Sequence, residues 1–458
     1  MFTSYALSGP PLHTITGQGS IGTFQLKGTN HVVANTLRRC ILTQTRSVSF
    51  RADLTNQADP GIKITKNTSV IFNEMLAHRL TLLPLGVVRI DDFDPERYEC
   101  VLRARNDTKG PINTESLMHV KAGNFRVRER QENGDFAEVG AGPLAALFPV
   151  NPLTKDTALI VTLRSHWNPE QPPEEIELVA KPVIGKGADF MGFSPVSQCS
   201  FGNTADPDAV RRERFFAEWL AEYKKIADPT TVPPEVVEGH RAEWATMAQQ
   251  RCFLINEKGE PNSFDFTVES VGMRPVADIV AEGLRAVVEL VRPFTDEAGT
   301  GLTIQPVDSR MSGVDVIIEG HEHTLGCLLQ SFITDIYLEA GAADSPITFA
   351  GYKVKHPLHR SVMIRLGIRE GLAGDAVAKQ VIASAASKAL ALFEELGRSW
   401  ASVSGLTAGG LTAGGLTAGG LAVGGLAVGG LAAKATSPDF LQFNSAAAAT
   451  GVVESKEE

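Results

Sequence analysis

Cysteine is scarce in this chain, and no two cysteines lie close together in sequence. The 458 residues contain five cysteines (Cys40, Cys100, Cys199, Cys252 and Cys327), and no Cys-x-x-Cys occurs. Disulfide-stapled small domains and cysteine-based zinc sites both need closely spaced cysteines. The sequence therefore predicts neither, and it favours a reducing compartment.

The chain also lacks a basic excess and a long apolar run. Its formal net charge at pH 7 is −10 and its pI is about 5.6, whereas a protein that binds nucleic acid on its own needs a basic surface. We find no continuously apolar stretch of the about 18 residues that a membrane span requires. Residues 1–17 have neither the basic start nor the apolar run of a signal peptide. We therefore expect a soluble intracellular protein without a membrane segment.

Motifs for catalysis or cofactor binding fail the test of sequence context. Asp91, Asp92 and Asp94 could hold Mg²⁺, but the segment DDFDPE is typical of a solvated loop, which we favour over metal binding. The Gly-x-Gly-x-x-Gly at 17–22 would have to open a helix, yet TFQLKGTN follows and predicts a strand and a turn. Surface or capping roles are favoured over metal ligation for the four histidines without zinc-site spacing: His321, His323, His356 and His359.

Two amphipathic helices lie far apart in sequence. The first is predicted over 31–43, with Asn30 as its N-cap and an apolar face that includes Leu37 and Ile41. In the second, apolar residues recur at helical spacing and Thr324 is a candidate cap. This second face consists of Leu325, Leu328, Leu329, Phe332, Ile333 and Ile336.

The elements around each helix repeat one order of strand, helix, strands and long helix. The first copy has strands within 12–30 and at 46–54, a helix ending near Leu80, a strand after Pro84, and, after a long insert, a strand at 264–272 and a helix at 275–292. The second copy has strands at 314–320, 347–354 and 360–368 and a helix at 375–398. Helices are also predicted at 207–227 and 234–250, and strands at 97–104 and 157–164, within the insert.

The C-terminal segment has a different sequence pattern. From Gly405 onward, leucine recurs every five residues in Gly-Gly-Leu units. A pentapeptide β-helix is one interpretation, but glycine raises the entropy cost of ordering each unit. We favour a flexible tail.

Four motifs in order resemble one protein family. VVANTLRRCIL with NTSVIFNEMLAHRLTLLPLGVV, the segment GKGADFMGFSPVSQCSF, and FDFTVESVG resemble the alpha-like third-largest subunit of eukaryotic and archaeal RNA polymerases. EGHEHTLGCLLQSFITD with ITFAGYKVKHPLHRSVMIRL resembles the small alpha-like subunit that pairs with it. The two subunits are normally separate chains, and here they look fused.

The resemblance implies an α+β fold with two alpha-like dimerisation units that pair within the chain. The first unit would comprise 12–50 and 252–295, interrupted by a mostly-β inserted domain at 51–251. The second, smaller unit would span 303–400, and 403–458 would form the repeat and a disordered tail.

The resemblance also implies a function, namely a non-catalytic platform that assembles a multisubunit DNA-directed RNA polymerase. Its partners would be the largest and second-largest subunits and small zinc-bearing subunits, with DNA and RNA contacted only through the complex. For Arg38 and Arg39 the alternative to a contact with a partner subunit is a solvated stripe or pairing with local acids. For the segment around Glu74, His78 and Arg79 the alternative is a simple packed helix. The full set of candidate subunit-interface residues is Asn35, Leu37, Arg38, Arg39, Ile41, Glu74, His78, Arg79, His323, Thr324, Leu325, Leu328, Leu329 and Phe332.

The chain departs from the family pattern in two places. The His-Ala-Lys usual within the third motif is absent, which removes any contact made by those side chains, and the region of the family's four-cysteine zinc loop contains only Cys100. We therefore expect no cofactor in this chain, with Mg²⁺ and Zn²⁺ held by partner subunits. The fusion and the tail favour a large DNA virus as the source, and a location in the nucleus or in a viral factory or virion. A regulatory interaction module outside the polymerase is the alternative function.

Overall fold

The computed structural model describes residues 1–405, apart from 12–18, 54–59, 88, 141–145, 152, 167, 169, 171, 297, 308–310 and 340–344. Helices and strands are mixed throughout this part of the chain, which confirms the predicted α+β class. The Gly-Gly-Leu tail lies outside the described residues, as do Gly17 and Gln18 of the glycine motif.

The α-helices of the described residues lie between groups of short strands, except that the third and fourth follow each other directly and the seventh follows the last strand. Their bounds are α1 His31–Thr43, α2 Asn73–Thr81, α3 Ala209–Trp219, α4 Pro234–Met247, α5 Val276–Val291, α6 His323–Ile333 and α7 Gly374–Ser404.

The strands are short and pair antiparallel. Their bounds are β1 Phe2–Pro11, β2 Gly19–Lys27, β3 Arg46–Phe50, β4 Ile62–Asn67, β5 Tyr98–Arg105, β6 Met118–Lys121, β7 Arg126–Arg130, β8 Phe136–Glu138, β9 Leu159–Leu163, β10 Glu175–Ala180, β11 Pro182–Lys186, β12 Val196–Asn203, β13 Ser263–Ser270, β14 Leu302–Pro306, β15 Gly313–Glu319, β16 Ile347–Val354 and β17 Ser361–Ile368.

The first unit is a sheet in the order β1-β2-β13-β12 with α1 and α5 packed against it. Its two central strands come from either side of the insert, and Phe24 pairs in register with Phe266, their rings stacked 4.9 Å apart. Alternation puts Phe264, Phe266 and Val268 on the buried side of β13, as the period of a strand dictates. The first unit is thus closed by residues more than 200 positions apart, at Phe24 and Phe266.

The second unit repeats this plan without an insert. Its sheet runs β14-β15-β17-β16, and α6 and α7 pack on one side of it. Val314, Val316 and Ile318 of β15 are buried, and they alternate with residues of the outer side. The short connection from α5 to β14 joins the two units.

Buried residues of both units form one continuous hydrophobic core. Helix α1 contacts α5 and α6, and α5 contacts α7. The glycine at position 283 of α5 allows close packing, because a Cβ there would lie 2.6 Å from a side-chain carbon of Ile41 on α1. The four helices therefore form the layer that joins the two sheets.

The insert has a separate core beneath the sheet β4-β10-β5-β7-β8. The two-stranded sheets β3-β11 and β6-β9 flank it, and two residues separate the end of α1 from the start of β3. Between β12 and β13, α3 and α4 form a hairpin around Phe216, Leu220, Trp244 and Ala248. Both helices had been predicted from the sequence, and α3 continues as a π-turn through Lys224.

Several sequence expectations need correction. No strand follows Pro84: the described residues up to 87 form an irregular segment, in which the Leu85 amide bonds to the Val48 carbonyl oxygen at 3.3 Å. Helix α2 ends at Thr81, close to its predicted end near Leu80, and it begins at Asn73 after a turn in which Asn67 Oδ1 accepts from the Ser69 amide and hydroxyl. The chain also contributes β1, ahead of the predicted start of the first unit at residue 12. The bounds of the predicted domains themselves stay a prediction.

Helix α7 is longer than predicted and is strongly apolar. Among the described helices it alone has the length and composition of a membrane span. Core helices of soluble proteins share this length and composition, and α7 buries Val381, Ile382, Phe393 and Trp400 in the shared core. The helix contacts elements of both units, including α5 of the first and α6 of the second.

Candidate functional site

The candidate site begins with the packing of α1 against α6. Leu37 and Ile41 of α1 are completely buried, as is Leu328 of α6. Neighbouring α6 positions are also buried, with exposed fractions of 1% for Leu325, 0% for Leu329 and 5% for Phe332. These predicted interface residues therefore lie together, within one chain.

A side-chain hydrogen bond fixes each end of the α1–α6 contact. Asn30 caps α1 by accepting from the Val33 amide at 3.0 Å, and its Nδ2 donates to Ser331 Oγ at 3.2 Å. At the other end, Arg39 Nε donates to Thr324 Oγ1 at 2.7 Å. Two bonds of this kind set the register of the helices, which apolar packing alone specifies less sharply.

These bonds change the interpretation of two predicted residues. Thr324 does not cap α6, since the helix begins at His323 and the Thr324 hydroxyl lies within the first turn, where it accepts from Arg39. Arg39 therefore faces the second unit of its own chain. Arg38 is half-buried and donates to Asn35 Oδ1 at 3.0 Å. A contact of Arg38 or Arg39 with a partner subunit stays a prediction.

Trp400 is a pairing residue that the sequence analysis missed. It lies near the end of α7, is completely buried, and its Nε1 donates to the Ala277 carbonyl oxygen of α5 at 2.9 Å. Its ring meets Phe2, Tyr5 and Phe24 edge-on, at centroid distances of 5.0, 5.1 and 4.9 Å. The second unit thus places one large aromatic side chain in the core of the first.

A buried ion network lies where the first unit joins the insert. Glu282 of α5 pairs with Arg274 at 2.6 Å and with Arg46 Nε at 3.1 Å, and it also accepts from the Arg46 amide at 3.0 Å. Arg46 reaches outward to Asp91 at 2.7 Å. Burial pushes the pKa of Glu282 up, but Arg274 and Arg46 outweigh it and hold the pKa below its usual value of 4.5.

The aspartate cluster at 91–94 lies next to this network. Asp91 pairs with Arg46, Asp92 lies 3.8 Å from Arg89, and Asp94 accepts from the Glu96 amide at 3.1 Å. All three occupy the turn after residue 90, and among the described residues no group of three or more potential metal ligands comes together. The acids act in pairing and capping there.

Replacing Glu282 with Gln tests the network. Because removing one member of a buried ion pair leaves the others uncompensated, we expect a loss of about 3 kcal/mol in the free energy of unfolding at pH 7. A lowered pKa in the folded state adds stability above the ordinary value of 4.5, and this is lost as the pH falls. The difference between wild type and Glu282→Gln should therefore be constant above about pH 5 and shrink below 4.5. Urea unfolding at a series of pH values measures it; a difference that grows on acidification would contradict the assignment.

The outer side of α2 is a second part of the site. Glu74 and His78 are exposed, and Arg79 donates from Nε to the Ile160 carbonyl oxygen at 2.9 Å and from Nη2 to that of Leu159 at 3.0 Å. Arg79 therefore ties α2 to β9. The side chains of Met75 and Leu82 are 59% and 52% exposed.

The turn at Met191–Phe193 adds to this surface. A Cβ at Gly192 would lie 2.6 Å from the Thr81 carbonyl oxygen, so the turn packs directly on the end of α2, and Met191 beside it is 59% exposed. We call the surface formed by Met75, Leu82 and Met191 the α2 face. Exposed apolar residues on packed, neighbouring elements are typical of interaction sites.

The histidines lie near one end of the second unit without forming a site. The rings of His321 and His323 pack edge-on against Phe294 and Tyr352. His356 accepts from the Leu358 amide at 3.1 Å, and its ring lies 5.3 Å from that of His359. These contacts are structural, and the predicted interface role of His323 stays a prediction.

Comparison with known proteins gives two family matches. The family described as RNA polymerase Rpb3/Rpb11 dimerisation domain matches residues 23–291, and a second family of the same description matches 314–399.

Curated proteins match about 60% of the chain. The human DNA-directed RNA polymerases I and III subunit RPAC1 is 26% identical over 305 residues, covering 60% of this chain and 80% of that protein. The Schizosaccharomyces pombe DNA-directed RNA polymerase II subunit RPB3 is 28% identical over 290 residues, covering 61% and 86%. The Pyrococcus furiosus DNA-directed RNA polymerase subunit Rpo3 is 24% identical over 290 residues, covering 60% and 91%.

Proposed function

We propose that this chain, which belongs to the RNA polymerase Rpb3/Rpb11 dimerisation domain family, is a non-catalytic assembly platform of a multisubunit DNA-directed RNA polymerase. The observation that carries the proposal is the shared core: two dimerisation domains of this family pack α1 against α6 inside one chain. A chain that contains both members of the pair makes the platform without a second chain, so that the remaining surfaces are available for larger subunits.

The partners in this proposal are the largest and second-largest polymerase subunits. The α2 face supports a docking role, because its three apolar residues are exposed, and Glu74 and His78 of the same helix are exposed as well. Apolar anchors surrounded by polar groups are the usual composition of a subunit interface. Small zinc-bearing subunits would bind at the rim, and nucleic acid would be reached only through the complex.

The proposal assigns no cofactor to this chain. Burial raises the pKa of Cys40 and Cys199 to about 12, which keeps these thiols protonated at neutral pH, and among the described residues no three potential metal ligands come together. The Mg²⁺ of nucleotidyl transfer and structural Zn²⁺ would belong to partner subunits.

The proposal further places the chain in a large DNA virus, in a nuclear complex or in a viral factory and virion. Its support is the fusion of two units that are separate subunits elsewhere, together with the Gly-Gly-Leu tail. Mass spectrometry of purified virions tests this point, and detection only in uninfected cells would contradict it.

A regulatory interaction module that never enters the polymerase is the second candidate function. The same paired helices would support it, because a platform can present its outer surfaces to any partner. Its distinguishing property is recovery from the native source without the large polymerase subunits.

Affinity purification from the native source separates the two functions. We expect the tagged chain to be recovered with the largest and second-largest polymerase subunits in equal amounts, because a platform occupies one defined place in the complex. Quantitative mass spectrometry measures the ratio. Recovery without either large subunit, at a salt concentration that preserves the polymerase, would contradict the platform.

A further inference from the structure

Ser49 is a buried serine that connects the pairing core with the α2 face. It lies in β3, which starts just after α1 and whose first residue, Arg46, is anchored to Glu282 of the pairing layer. The hydroxyl of Ser49 is completely buried and lies 3.0 Å from the carbonyl oxygens of both Thr81 and Leu83. One hydroxyl proton is thus shared between two carbonyl groups.

The Thr81 carbonyl group belongs to the last residue of α2, where a helix leaves acceptors without intrahelical partners, and Leu83 lies two residues beyond the helix end. Other carbonyl groups at the end of α2 have local donors. Thr81 Oγ1 donates to the His78 carbonyl oxygen at 2.7 Å, and the Leu82 amide donates to the Arg79 carbonyl oxygen at 3.3 Å. The Thr81 and Leu83 carbonyl groups receive their donor from β3. The position of the α2 end therefore depends on Ser49.

The geometry explains why Leu82 points outward. Thr81 and Leu83 are buried, at 5% and 8% exposure, and Ser49 holds the carbonyl group of each toward β3. The residue between them, Leu82, is 52% exposed despite being apolar. Gly192 packs on the Thr81 carbonyl group, in the turn that also carries the exposed Met191.

We infer that Ser49 is a positioning residue for docking: it fixes Leu82 in the outward orientation that the second-largest polymerase subunit contacts on the α2 face. The inference rests on the proposed function. An exposed apolar anchor contributes most to binding when it is held in place before the partner arrives. Binding then does not include the free-energy cost of ordering that side chain. Loss of the Ser49 hydroxyl frees the 81–83 segment without removing any group that the partner touches.

The test compares four full-length tagged variants in the native source. Ser49→Ala should lower the amount of second-largest subunit retained per chain at least fivefold, as should Leu82→Ala. Ser345→Ala is the control for a lost buried hydroxyl, since Ser345 Oγ donates to the Ile347 carbonyl oxygen at 3.1 Å in the second unit. Leu372→Ala is the control for an exposed leucine, at 47% exposure. Both controls should retain wild-type amounts.

The double variant Ser49→Ala, Leu82→Ala distinguishes positioning from general destabilisation. It is compared at a salt concentration at which Leu82→Ala still retains a measurable share of the subunit. If Ser49 acts through Leu82, the double variant retains as much as Leu82→Ala alone, whereas independent effects would multiply. The inference is overturned if the two losses of retained subunit multiply in the double variant. It is also overturned if Ser345→Ala loses as much of the subunit as Ser49→Ala.

Amide hydrogen exchange of the free chain gives a readout without the partner. Ser49→Ala should speed exchange at 79–83 and leave α1 and α6 unchanged; slow exchange at 79–83 would overturn the inference. In the retention assay, wild-type retention by Ser49→Ala overturns only the role of Ser49. If the wild-type chain itself retains neither large subunit, the proposed function fails, and the docking role of Ser49 fails with it.

Discussion

Replacing Leu328 with Asp should leave the chain without a stable paired fold. Leu328 lies in the middle of α6 and has no exposed surface, and Leu37 occupies the matching place on α1. Losing the burial of a leucine costs about 1.5–3 kcal/mol, and the buried carboxylate adds the cost of an unpaired charge. The sum is several kcal/mol, against a total stability of about 5–15 kcal/mol for a typical protein. Leu37→Asp should have the same effect, because both side chains belong to one core.

Size-exclusion chromatography and urea unfolding measure this result. Wild type should be a monomer at micromolar concentration with a single main transition for the shared core, and each Asp variant should elute as expanded or aggregated protein. Leu358→Asp is the matched control, because Leu358 is 84% exposed in the β16–β17 turn and should tolerate the charge. Wild-type stability of both core variants would show that α1 and α6 do not depend on each other.

A monomeric wild type is expected because the connection between the units is short. Helix α5 ends at Val291 and β14 begins at Leu302, so the second unit cannot move far from the first. A tether of this length gives an effective concentration in the range of about millimolar. Pairing between copies would therefore compete poorly with pairing inside one chain.

The sequence predicted the helices correctly where apolar residues recur at helical spacing and form a buried face. The spacing of Leu37 and Ile41 predicted α1 over 31–43, and Asn30 was recognised as its N-cap, because a helix start needs a side-chain acceptor. The long apolar face of α6 predicted the buried Leu325 and Leu328. Local patterns of this kind depend on neighbours within a few residues, which a sequence displays directly.

Contacts between distant residues were not predictable in this way. Arg39 meets Thr324 across 285 positions, and Arg46 meets Glu282 across 236. Each residue alone was consistent with a solvated surface, since nothing near it in sequence shows the burial of its partner. The segment after Pro84 was wrongly predicted as a strand for a similar reason: its apolar residues, such as Leu85, pack into the insert core without pairing in a sheet.

Trp400 shows the same limit most clearly, and its replacement should have a large effect. The apolar period of α7 predicted a helix ending at 398, so Trp400 fell outside the predicted face, yet α7 continues to Ser404. Its ring is enclosed by Phe2, Tyr5 and Phe24 of the first unit. Trp400→Ala would leave a large cavity there, at a cost of about 3–5 kcal/mol.

Two variants separate the contributions of the Trp400 ring. Trp400→Phe keeps most of the aromatic packing but leaves the Ala277 carbonyl group without the donor it has at 2.9 Å. The Ala277 carbonyl group lies inside α5 and keeps its place in the helical hydrogen bonding, so Trp400→Phe should cost less than Trp400→Ala, about 0.5–1.5 kcal/mol for one lost hydrogen bond. Urea unfolding gives both values.

The elements that lose hydrogen-exchange protection in Trp400→Ala distinguish a pairing role from ordinary core packing. The Phe2 amide bonds to Ser399 Oγ at 3.2 Å, so α7 holds β1 through backbone as well as ring contacts. Trp400→Ala should therefore speed hydrogen exchange in β1 and the first turn of α5, while the insert sheet keeps its protection, because its core is separate. Equal loss of protection in both cores, or a cost for Trp400→Ala no larger than that for Trp400→Phe, would show that this side chain does not join the two units.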